Sequence, residues 1–186
     1  STHLQAAKRL QTPYRELKRW EDLYTVLVKE LELEGRADNV ALTMDAMSVA
    51  KEHLRDPRLA LQTALPTFRL VPADLSLRNA IETLGHETGY WEEIFDEAEA
   101  ALEVLSDGSL QGAHARWIGD TMVAQGRPET AVWAYEAVLE ALPGDRGAME
   151  ALEALHADAH RSSDQLDVMQ RQLDGLSMSE GERSII

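Results

Sequence analysis

The chain has no cysteine, only 5 % aromatic residues with two phenylalanines among them, and few Val or Ile. Without thiols there are no disulfides, no thiolate nucleophile and no zinc ribbon. Scarce β-branched and aromatic side chains leave little with which to build a pleated sheet. No stretch approaches 18 consecutive apolar residues, so no membrane insertion is expected. Positive charge is short as well: 18 Lys and Arg stand against 33 Asp and Glu, a net charge of −15. Such a surface repels phosphate backbones and anionic lipid, which argues against nucleic acid and for a protein or peptide partner, a basic one. There is no Gly-x-Gly-x-x-Gly loop and no Gly-Lys-Ser/Thr to hold a nucleotide, and no cofactor is expected. No export signal is visible, and the cytoplasm is the expected location. The first residue is Ser rather than Met, so a leader could have been removed.

What is present favours helices. Ala, Leu and Glu abound, and 44 % of the residues are hydrophobic, enough in 186 residues to bury a core. In the stretch from Tyr90 to Leu105, the residues Trp91, Ile94, Phe95, Ala98, Ala101, Leu102 and Leu105 fall on one stripe. Glu92, Glu93, Asp96 and Glu97 fall off it, so this helix has an acidic outer face. Short breaks separate similar stretches: Arg55-Asp56-Pro57, Pro72-Ala73-Asp74, Gly89, Asp107-Gly108-Ser109, Gly126-Arg127-Pro128 and Pro143-Gly144-Asp145. Each supplies a stop or a cap. The fold class read from this pattern is all-α.

The breaks are periodic. Pro72 follows Pro57 by 15 residues, and Pro143 follows Pro128 by the same interval. Trp20 and Trp91 are 71 residues apart, about two periods of a 34-residue repeat. One frame fits units near 4–40, 41–74, 75–111, 112–145 and 146–174, with residues 175–186 as a flexible tail. In the unit from Gly112 to Asp145, Ile118-Gly119, Gly126, Ala131, Tyr135 and Pro143 stand in an order that resembles the tetratricopeptide repeat family. Gly85, Gly89, Ala60 and Pro72 echo parts of it. The resemblance implies a right-handed solenoid of about five helical hairpins and is equally met by a fragment of a longer array. Arg outnumbers Lys 14 to 4, a bias common in GC-rich bacterial genomes.

Two prolines depart from the pattern. Pro66 falls inside a second helix, where it should kink or break the ladder. Pro13 should end the first helix, with the next starting after Thr12 and running to about Gly35.

No catalytic constellation emerges. His156 and His160 share a helix face but are two ligands only, and the Glu of a metalloprotease motif is absent, so a solvated face is expected and no metal. Ser76, His86 and Glu87 lie near one another in sequence without a spacing that makes a triad, and no enzymatic role is expected. Trp20, Trp91 and Trp117 lie on apolar stripes and read as packing, while Trp133 reads as the more exposed. Residues 86–160 carry 16 acidic and 3 basic residues, whereas residues 1–34 carry six of each.

The family resemblance implies a concave groove lined by the first helix of each hairpin. Its positions map to Lys8, Asp45, Val49, His53, Asn79, Thr83, His86, Arg116 and Asp120. The expected function is a non-catalytic scaffold or adaptor that holds a partner in this groove or along the acidic face. The alternatives are a regulatory domain sensing a small molecule between repeats and a structural module whose ends stack.

Overall fold

The computed structural model of the chain describes residues 2–160 and Ser163. Among the described residues there is no strand. The helices are α1 (Thr2–Glu16), α2 (Trp20–Glu34), α3 (Val40–Ser48), α4 (Pro57–Leu70), α5 (Leu75–Thr88), α6 (Trp91–Leu102), α7 (Gly108–Ala124) and α8 (Pro128–Ala141). A π-helical turn, Val49–His53, prolongs α3. Residues 146–160 form a further helix, α9.

Aspartates start four of these helices. Asp56 accepts from the Leu59 amide at 2.8 Å, and Asp74 from Leu77 at 2.9 Å. Asp107 accepts from Leu110 and Asp145 from Ala148, each at 2.9 Å. Each bond satisfies one of the amides that a helix N-terminus leaves without a carbonyl. Some of the helices stop on a left-handed residue. Gly126 (φ 73°) closes α7, with the Arg127 amide bonded to Met122 and the Gly126 amide to Val123.

The structure departs from the sequence reading at three helix ends. Helix α1 runs through Pro13 to Glu16, and the chain turns out of it at Lys18, where φ is 55°. There the Arg19 amide bonds Tyr14 and the Lys18 amide bonds Arg15, the same closing motif without a glycine. Helix α4 likewise continues through Pro66, which is exposed. The carbonyl that Pro66 leaves unpaired belongs to Gln62, also exposed, where water can satisfy it. Helix α6 stops at Leu102, and Gly108 and Ser109 form the first turn of α7 under the Asp107 cap. The tail expected at 175–186 lies outside the described residues.

The chain divides into two compact units, one ending at His114 and the other beginning at Ala115. In the first, α1 packs on α2, α2 on α3, α3 on α4, and α4 on both α5 and α6. Leu23, Leu27 and Leu31 of α2 meet Ala46 and Val49 in one buried cluster, flanked by Tyr14, Trp20, Tyr24 and Leu42. Buried hydroxyls cross the interior: Thr43 bonds Thr67 at 2.9 Å, and Tyr24 bonds Thr63 at 2.8 Å. In the second unit Ile118 and Met122 of α7, Ala131, Ala134, Tyr135 and Val138 of α8, and Ala148 of α9 are buried.

Candidate functional site

On α3 and its π-helical extension, Met44, Met47, Ser48 and Lys51 recur at helical spacing. On α5, Ala80, Thr83 and Leu84 do the same. With Ala60 of α4 they line a pocket of about 230 Å³. Its wall is mostly apolar and includes two methionines. At the rim, Lys51 donates to Glu87 at 2.7 Å, and both side chains are about 40 % exposed. Pairs this exposed contribute little to stability and are easily exchanged for another partner.

Asn79, Thr83 and His86 lie on one side of α5, at intervals of four and three residues, and all three are exposed. The Thr83 hydroxyl donates to the Asn79 backbone carbonyl at 2.9 Å, and the exposed Asn79 directly precedes Ala80 of the pocket wall. His86 meets Trp91 edge-on at 5.0 Å. His53 lies flat on Trp20, with centroids 3.7 Å apart.

The other expected groove positions are tied into the structure. Val49 is 1 % exposed and belongs to the core, because the π-helical turn directs it toward Leu23 and Leu27. Lys8 pairs with Glu34, and Arg15 pairs with Asp45. In the second unit Arg116 pairs with Asp145, whose carboxylate also caps α9. Those bonds, the Ala148 amide first, hold the Asp145 carboxyl below its ordinary pKa. Asp120 accepts from the Tyr135 hydroxyl at 2.7 Å, and burial together with that carboxylate pushes the Tyr135 pKa up. Arg116 and Asp120 therefore brace helices.

The acidic face is thinner than the sequence suggests. Glu93 pairs with Arg58 at 3.5 Å and Glu97 with Arg69 at 3.9 Å, so both are half-buried struts between α6 and α4. Glu92 and Asp96 are exposed. Ser76 and His86 are ten residues apart on one helix, about 15 Å along its axis, which rules out a direct hydrogen bond. Ser76 instead bonds Asp74 at 2.5 Å. His156 and His160 are exposed on α9, and among the described residues no three His, Asp or Glu side chains are placed to hold a metal ion. No described helix is long and apolar enough to cross a membrane.

Two features escaped the sequence reading. The Met44 and Met47 stripe has the same spacing as a core stripe, so periodicity alone could not separate pocket from core. His114 is 1 % exposed: its Nε2 bonds the Ala98 carbonyl at 2.9 Å and its Nδ1 faces Arg78 at 3.4 Å. Burial lowers its pKa to about 4, so the ring is neutral and carries its hydrogen on Nε2.

The chain matches no protein-family model and no curated protein.

Proposed function

We propose that the chain is a non-catalytic scaffold of stacked helical hairpins of the tetratricopeptide kind, which holds a segment of a partner protein across α3 and α5. An apolar side chain of that segment enters the pocket between Met44 and Leu84, and the Asn79 amide meets its backbone. Support for the hairpin reading comes from two close contacts that pair a small residue with an aromatic: Gly85 against Trp91 and Gly119 against Tyr135.

The pocket carries the binding reading. Sites for whole small molecules span roughly 300–1,000 Å³, and about 230 Å³ falls below that range. It suits one side chain better than a metabolite. Its methionines are flexible and polarisable, as suits a wall that accommodates Leu, Met or Ile alike. The exposed carboxylates of Glu92 and Asp96, in a region of strong negative charge, favour basic residues in the partner's flanking segments.

Peptides selected by display against the whole chain test this reading. Selected peptides should share one aliphatic residue, Leu, Met or Ile, with basic neighbours. Thr83→Leu, at an exposed helical position, should fill the pocket mouth and weaken binding about tenfold or more in isothermal titration, with melting unchanged. Equal binding by the Leu variant would remove the pocket from the function. Stabilisation of the chain by a metabolite, lost in that variant, would favour the sensing role instead.

A further inference from the structure

A second surface, distinct from the α3–α5 pocket, lies on the first two helices. His3, Ala6, Ala7 and Leu10 recur along one side of α1, and Val28, Lys29, Glu32 and Leu33 along α2. Between them is an open groove of about 640 Å³ with a largely apolar lining. Leu10 is 40 % exposed and Leu33 41 %, and among the described side chains of α1 only Ala7 is buried. Helix α1 is thus held by one side only, with its remaining aliphatic surface in water.

We propose that this groove pairs with the same groove of a second copy of the chain. The argument is charge. Residues 1–34 carry six acidic and six basic residues, whereas residues 86–160 balance to −13. Two copies that meet through the acidic region bring like charges together, while copies that meet through α1 and α2 do not. A basic partner gains nothing at the neutral surface and is drawn elsewhere. The groove's charges also complement themselves. Lys29 and Glu32 sit one turn apart, paired at 2.9 Å and 61 % and 52 % exposed. A two-fold axis through the groove sets Lys29 of each copy opposite Glu32 of the other, and the aliphatic residues meet between them.

Sedimentation velocity on the full chain, from micromolar concentration to about 1 mM, reads the result. The chain should dimerise, and added salt should leave the dimer largely intact, since the joined surfaces carry no net charge and their central contact is apolar. Leu10→Glu with Leu33→Glu should raise the dimer dissociation constant about tenfold or more, with the circular dichroism unchanged. Should that variant fail to fold, charge variants at exposed sites replace it. Lys29→Glu and Glu32→Lys should each dimerise poorly alone and associate when mixed. A chain that stays monomeric throughout overturns the proposal, as does a dimer that these substitutions leave intact. Neither outcome bears on the α3–α5 pocket, whose variants and readout are separate.

Discussion

A β-carbon on Gly85 would lie 2.7 Å from Cη2 of Trp91 and 2.9 Å from Cδ1 of Ile94. The indole occupies the space where any other residue would carry a side chain. At an ordinary helix position, Gly→Ala stabilises by about 1 kcal/mol, because alanine loses less backbone freedom on folding. At Gly85 the overlap reverses the sign: Gly85→Ala should cost about 1–3 kcal/mol. Gly119→Ala should do likewise, since its β-carbon would meet the Tyr135 ring at 2.9 Å. Chemical denaturation decides it, and stabilisation in either variant would contradict the close packing. The aromatic half of these contacts was legible in the sequence, where Trp91 falls on an apolar stripe. Trp133, which read as the more exposed ring, is half-buried, and so are Trp20 and Trp117, which read as packing. A single stripe shows which side of a helix is covered and leaves open how deeply a neighbour reaches around it.

At the scale of the helix, breaks marked by Asp, Gly and Pro were readable because each residue acts locally. Asp56, Asp74, Asp107 and Asp145 cap, and Gly89 and Gly126 terminate, with no help from the rest of the fold. The end of α1 was unreadable for the opposite reason. Its left-handed residue is Lys18, a type that ordinarily avoids φ of 55°, and the nearby Pro13 gave a false signal. Arg55 ends the π-helical turn in the same way, with φ of 58°. A left-handed conformation costs a residue with a β-carbon about 1–2 kcal/mol, part of which glycine gives back in unfolded-state freedom. Lys18→Gly and Arg55→Gly should each therefore stabilise the chain by about 0.5–1 kcal/mol. The denaturant midpoint should rise with an unchanged slope. A fall would mean that the side chains contribute more by contact than the backbone loses by strain.

For the molecule as a whole, a charge of −15 makes acid a stabilising influence until the capping carboxylates protonate. Asp74 and Asp145 are held below the ordinary value of 3.8 by hydrogen bonds, from Ser76 foremost and from the Ala148 amide respectively. Their contribution is lost only as pH falls below that region. His114 works the other way and in a different window. It titrates near 6.5 when unfolded and at about 4 when folded, because burial disfavours its charged form. Between those values the unfolded chain binds the extra proton, so stability rises with pH across that interval and falls as pH drops from 6.5 toward 4. The whole effect amounts to about 3 kcal/mol at most. Urea unfolding of the full chain should show this loss against the opposing trend of the surface charge. His114→Gln keeps a donor for the Ala98 carbonyl and has nothing to titrate, so its stability should be flat or increase as pH falls from 6.5 to 4.5. If both proteins lose stability in parallel over that range, the buried imidazole is not what couples this fold to acid.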